Sequence, residues 1–248
     1  YDEDLAPQQA DHMTMGVSMQ WYAKKKDKAC KFPLFEYGVS FNGQTAEKRL
    51  KGEWTWETGL NSCIVDNLER VRDYGMLVVY SNWSFLKNRS KDRQRYERQQ
   101  LEWLAFVAGK RESRRLLGDY VLSEQDIVKN MPHEDATFTT TWSINAQNFP
   151  TGAFKAVSRQ RVIYPYAVPY RCLYSRNVSN LFMAGRNISV THVALGSVRV
   201  MRTTGMMGEV VGMAAAVCKE HKANPRQVYT HFLPHLQALM LQGVGNAD

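Results

Sequence analysis

The sequence predicts an α/β protein of α+β character, and three observations carry that expectation. Residues Asn180–Ala216 form a short apolar run, a polar and basic loop and a glycine-rich helical stretch. The two thirds before them mix short β-branched, aromatic and alternating stretches with a few helical ones, which favours strands. No internal repeat or low-complexity linker interrupts the chain. Its 248 residues, 44% hydrophobic and 11% aromatic, are enough to bury a substantial core.

Taken in order, residues 1–15 read as loop and Gly16–Trp21 as a strand ended by the lysine run at Lys24–Lys28, an exposed hairpin tip. After a loop over Pro33–Phe41 and a further strand, Gly52–Glu57 alternates in strand fashion with Trp54 and Trp56 on one side. Cys63–Leu86 carries Ile64, Leu68, Val71 and Met76 at near-helical spacing, with a break expected at Asp73-Tyr74-Gly75. An amphipathic helix is expected over Asp92–Val107, with Tyr96, Gln99/Gln100, Trp103 and Phe106/Val107 inward. Arg111–Leu122 reads as a strand, and Ser123 caps a helix whose first turn holds Glu124 and Asp126. Phe138–Ile144 and Ala156–Tyr170 read as strands, the second leading into turns at Pro165 and Pro169. Near the end, Asn224-Pro225 starts a helix with cap and first-position proline. Phe232, Leu236 and Leu239/Met240 give a short amphipathic helix ending near Gly243.

Composition excludes several function classes. No apolar run approaches the ~20 residues of a membrane span. The four cysteines (Cys30, Cys63, Cys172 and Cys218) form no CxxC pair, so a zinc site or redox dithiol is not expected. His231 and His235 are four apart, but Pro234 between them argues against a metal pair on one helix, and no metal site is predicted. The net charge is +8, with ten Lys/Arg against four Asp/Glu between Lys87 and Arg115. Interleaved aromatics there suggest nucleic acid. No nucleic-acid motif accompanies them, and a solvated helix face explains the charge.

The chemistry concentrates in Asn180–Ala216. Leu181, Phe182, Met183 and Ala184 form a continuous apolar run, as in a strand covered on both faces, and Gly185 stops it at a tight turn. A helix is expected from Thr203-Thr204, a threonine hydroxyl capping its first free amides. Gly205, Gly208 and Gly212 fall near one face, ahead of Ala214–Ala216. Each interior glycine costs about 1 kcal/mol relative to alanine, so three in eight residues call for a close backbone approach to a strand or a flat ligand. The helix N-terminus carries about half a positive charge and unpaired N–H groups, and Arg186, Arg199 and Arg202 add fixed charge. Such a site suits an electron-poor ligand that becomes negative during reaction, as a flavin does at its N1–C2=O edge. An ordinary crossover packed by small residues accounts for the same pattern, and the residues alone leave both readings open.

His192 is the candidate proton carrier, in the loop before the helix beside Ser189 and Thr191. Imidazole is the side-chain type that changes charge near neutrality, although a histidine that only anchors the loop explains it equally. Arg199 is the candidate for the flavin's pyrimidine edge, with an ion pair to Glu209 as the alternative. Arg111 and Arg115 would share one strand face, Glu112 and Arg114 the other. Arg111 could reach a substrate, but a structural ion-pair network is the simpler account. Trp54, Trp56 and Trp142 could stack on a sugar ring, and core packing is the safer reading.

These residues resemble a known family. Asn180, Leu181, Ala184, Gly185 and Arg186, followed by Ile188, Ser189, Thr191, His192, Ala194, Gly196, Ser197, Arg199, Val200 and Met201, are similar to the NLxxAGR and ISxTHxAxGSxRVM elements of the bacterial FAD-dependent oxidoreductases. Gly109–Arg115 with Gly118-Asp119-Tyr120 resembles their RESRR-x-x-GDY element, Trp54–Gly59 their WWxExGG segment with Leu60 at the second glycine, and Val168–Arg171 their IPYR turn. The resemblance implies FAD as cofactor and hydride transfer with a small, sugar-like substrate. It implies His192 and Arg199 as catalytic groups and Gly185, Arg186, Arg199, Thr204, Gly205, Met206, Met207 and Gly208 as cofactor contacts. Arg111 and Trp54 become the substrate candidates. It also implies a substrate domain over 1–170, the closing segment of a Rossmann-like FAD-binding domain over 171–220, and a helical tail over 221–248. One departure matters: no GxGxxG turn for the pyrophosphate occurs in the 248 residues. The chain therefore reads as the C-terminal part of a longer flavoprotein, partnered by an N-terminal FAD-binding segment and inactive without it. The alternative is a carbohydrate- or partner-binding module without catalysis.

Overall fold

A computed structural model describes residues 3–6, 8–9, 14–53, 55–59, 62–148 and 157–244, with backbone only for 146–148 and 157–159. The chain forms two compact units. The first comprises Asp11–Glu112 with Gln147–Val157, the second Tyr1–Ala10 with Ser113–Ala146 and Ser158–Asp248. Residues 113–146 thus pack with the C-terminal segment.

The first unit contains strands β1 (Val17–Ser18), β2 (Trp21–Lys25), β3 (Lys51–Gly52) and β4 (Glu57–Thr58), helix α1 (Leu68–Asn88), and strands β5 (Gln99–Leu104) and β6 (Gly109–Lys110). Two antiparallel sheets, ordered β4-β1-β6 and β3-β2-β5, meet α1 over a core that includes Met19, Trp21, Trp56, Ile64, Val78, Trp83 and Tyr96. The aromatic weight drives this burial at roughly 25 cal/mol per Å² of apolar surface. Helix α1 runs unbroken through Gly75, against the expected break. A Cβ there would stand 2.3 Å from Met19 Cγ, so glycine serves close packing rather than a stop.

Three further expectations are corrected here. Asp92–Val107 is not a helix: a 3-10 turn over Arg93–Tyr96 leads into β5. Strand β2 needs a partner for its backbone groups, and pairing from Trp21↔Leu104 to Lys25↔Gln99 supplies it. Tyr96 is buried as expected, but Trp103 and Phe106 stand exposed, with Trp103 stacked on Tyr22 across the sheet at 5.8 Å. Lys24 and Lys25 accordingly lie in β2 rather than in a hairpin tip. Arg111–Leu122 is extended but joins no sheet. Its backbone instead bonds to the 187–189 segment, Leu116 N–H to Asn187 O and Leu122 N–H to Ser189 O.

The second unit holds helix α2 (Glu124–Val128), strands β7 (Ala136–Thr140) and β10 (Tyr166–Pro169), the greater part of β8 (Ile144–Asn148) and β9 (Val157–Arg161), and helices α3 (His192–Val198), α4 (Met201–His221), α5 (Pro225–His231) and α6 (Leu233–Gln242). β7 and β10 pair antiparallel, β8 and β9 pair with each other, and Leu122↔Val190 is an isolated parallel bridge. The predicted caps are present: Ser123 with Asp126 at α2, and Asn224 with Gln227 at α5 behind Pro225. Helix α6 stops at Gly243, φ +72°, a conformation that favours glycine. Tyr166, Tyr170 and Tyr174 are buried with each hydroxyl engaged, by Ser197 Oγ, Pro225 O and Asp119 Oδ2. Burial drives all three phenols above their ordinary range. At Gly118 an added Cβ would lie 2.4 Å from Arg171 O, which explains the glycine of Gly-Asp-Tyr.

Leu181–Ala184 is not a strand covered on both faces. Only Met183 is buried, Ala184 is exposed, and the pairing is a single bridge between Phe182 and Tyr174. The helix expected from Thr203 starts earlier as well. His192–Val198 is itself helical, and Thr203 and Thr204 lie inside the first turn of α4.

Candidate functional site

The turn after Ala184 is closed by Ile188 N–H donating to Gly185 O at 3.2 Å. Gly185 has φ +150°, where a side chain would be strained. Thr191 caps α3 by accepting from Ala194 N–H at 3.1 Å. Its own hydroxyl donates to Glu3, whose carboxylate also accepts Glu124 N–H at the start of α2. Helix α3 ends at Val198, and only its C-cap Arg199 and Val200, the N-cap of α4, separate the two helices.

Here the helix starts differ. α2, α3 and α5 are capped by Ser123, Thr191 and Asn224, whereas the N-cap of α4 is Val200, which supplies no side-chain acceptor. The hydroxyl of Thr204 turns back to Met201 O rather than capping. A cavity of about 740 Å³ opens at this end, lined by Ala184, Gly185, Arg186, Asn187, Arg199, Met201, Thr204 and Gly205. Its size is that of a small-molecule or cofactor site. Two arginines and an uncapped helix N-terminus make its wall positive.

Helix α4 has two unlike faces. Thr203, Met207, Val210, Ala214 and Val217 are buried, and Thr203 shares a hydrogen bond of 3.0 Å with Thr140 of β7. Gly205, Gly208 and Gly212 lie on the exposed side, where an added Cβ would meet nothing within 4 Å. The close backbone contact expected of these glycines is absent among the described residues. The face is open.

The structure brings Gly185, Arg186, Arg199, Thr204 and Gly205 to one wall, and adds Ala184, Asn187 and Met201, which sequence reasoning missed. Asn187 had a signal, its place beside Arg186 in a tight turn. Met207 is fully buried in the core and Met206 half-buried, while Gly208 sits one turn beyond the wall. His192 is the half-buried first residue of α3 and does not line the cavity. Arg111 belongs to the first unit, bonded to Gly16 O and Ser18 Oγ and ion-paired at 2.5 Å with buried Glu57. Trp54 lies outside the described residues. Trp56 is core, and Trp142 is exposed.

Two of the recognised motifs have structural work. Arg171 is held by buried Asp135 through Nε and Nη2, each at 2.9 Å, between the rings of Tyr120 and Tyr229, and the pairing raises its pKa. Asp119 receives two bonds from Arg226 at 2.6 Å and one from Tyr174, and Arg226 holds its carboxyl below the usual range.

The family model for FAD dependent oxidoreductases matches residues 4–240. The chain belongs to this family. No curated protein and no solved structure matches it. For a flavin oxidoreductase, the positive wall and open glycine face fit the ring end of the cofactor, which is flat and gains negative charge on reduction. Among the described residues of this oxidoreductase, no helix is long and apolar enough to cross a membrane.

Proposed function

We propose that this chain is the C-terminal part of an FAD-dependent oxidoreductase whose flavin ring rests at the start of α4. One observation carries the reading: the start of α4, which no side chain caps, stands beside Arg186 and Arg199 and opens into a cavity of about 740 Å³. FAD, when bound, supplies the two-electron acceptor. The chain's own groups do the rest. The N–H groups of the first α4 turn and Arg199 would stabilise negative charge at the pyrimidine edge. Arg186 and the Gly185 turn would border the ring, and the bare Gly205–Gly208 face would let it approach backbone. His192, at the start of α3, is the proposed proton carrier for a small, sugar-like substrate.

The pyrophosphate cradle would come from an N-terminal segment with a GxGxxG turn, completing a Rossmann-like domain that the 171–220 segment closes. Without that segment the chain would not retain FAD or turn over. The test is the intact gene product, which should purify yellow and release FAD on denaturation. Gly205→Val should lower its flavin content with circular dichroism unchanged, and Arg199→Met should slow flavin reduction by about 100-fold. A colourless intact protein, or full flavin content in Gly205→Val, overturns the reading.

A further inference from the structure

We propose that Glu220, His221 and His235 form a binding site for a divalent transition metal ion such as Zn2+. The site is independent of the flavin reading. It lies where the C-terminal end of α4 meets the start of α6, and the three residues each present a ligand atom within 4.8 Å of the others. His221 Nε2 and His235 Nδ1 are 3.0 Å apart. The two oxygens of Glu220 stand 3.8 Å from His221 Nε2 and from His235 Nε2. One imidazole gives one nitrogen to an ion, and with one atom per residue the three lie within 4.8 Å of one another; ligand atoms around a tetrahedral zinc, bonded at about 2.0–2.1 Å, lie about 3.3 Å apart, so side-chain shifts of about 1–1.5 Å close the set on an ion.

The site is also held in place. The His221 ring stacks on Phe232 at 4.1 Å and 11° and meets the His235 ring edge-on at 5.3 Å, so both imidazoles have fixed planes. Phe232 ends α5 and begins α6, which makes the support part of the backbone framework. The C-terminal end of a 21-residue helix carries partial negative charge that favours a cation. Lys219 on the same helix and Lys222 just beyond its end oppose it. The donor set of two imidazoles and a carboxylate selects zinc, nickel or copper over magnesium or calcium, and leaves one zinc position to water. The pairing was not visible in the sequence because the two histidines are 14 residues apart across two helix breaks. The spacing that did attract notice misleads, since His231 instead bonds Thr230 Oγ1.

The test is calorimetric titration of tag-free, chelator-treated protein with ZnCl2, paralleled by visible absorption with CoCl2. One saturable equivalent of Zn2+ is expected, with cobalt bands of a nitrogen- and oxygen-ligated site. His221→Asn and His235→Asn should each weaken binding by about 100-fold and Glu220→Gln by about tenfold. The thermal midpoint should rise with Zn2+ in the natural protein and not in the histidine variants. Absence of saturable binding, or equal affinity in His235→Asn, overturns the proposal. Should a histidine variant fold poorly, as judged by its melt in chelator, the exposed Glu220→Gln decides: unchanged Zn2+ affinity there also overturns it.

Discussion

Helices α1 and α4 are both 21 residues long, and both carry glycine in their interior, for opposite ends. In α1, Gly75 removes a side chain so that Met19 can press against the backbone. In α4, Gly205, Gly208 and Gly212 clear a face that nothing described touches, while the buried stripe from Thr203 to Val217 holds the helix down from the other side. The contrast teaches that a glycine-rich helix is ambiguous in sequence. The same propensity penalty of about 1 kcal/mol per residue can be offset by packing within the chain, or stand uncompensated where a surface is kept clear.

Substitutions can break the comparison directly. Gly75→Ala should destabilise by about 1–3 kcal/mol through overpacking against Met19, read from urea unfolding. An unchanged midpoint would mean that α1 does not depend on the close contact. Thr203→Val, on the buried side of α4, should cost about 1–2 kcal/mol because it leaves the Thr140 hydroxyl buried without its partner. Gly212→Ala should act in the other direction and stabilise the chain by about 0.5–1 kcal/mol. Destabilisation there would show that the bare face is packed after all.

The smallest effect concerns the segment that follows α4. Arg226 of α5 depresses the pKa of Asp119. A carboxyl whose folded value lies below its unfolded value, about 3.9, stabilises the fold above that unfolded value. The contribution is lost as pH falls through the folded one. Asp119→Asn should therefore flatten the acid limb of a stability–pH curve below about pH 4, by less than about 1 kcal/mol because the pair lies near the surface. An unaltered acid limb would show that the pair contributes nothing.

What the sequence disclosed follows from how local each signal is. The caps at Ser123 and Asn224 depend on residues three apart, and both were legible, as was the stop at Gly243. Strand β5 was not. Its residues Gln99–Leu104 form a strand only because Trp21–Lys25 lies beside them, a pairing some eighty residues long-range that overrides a helical apolar spacing. Leu181–Ala184 misled for the opposite reason: an apolar run implies burial, yet only Met183 is buried and Ala184 lines the cavity. At the site, Arg186, Arg199 and Gly205 were legible from glycine and charge placement. Met201 was not, because it reaches the wall only if α4 begins two residues earlier than its threonines suggest.

The clamp on Arg171 carries a practical consequence. With Nε and Nη2 committed to Asp135 and an aromatic ring on either side, this guanidinium is internal masonry, although it sits in one of the motifs by which the family is recognised. A mutational survey scored on turnover would mark the position as essential. What such a survey would be measuring there is how much folded protein the cell accumulates.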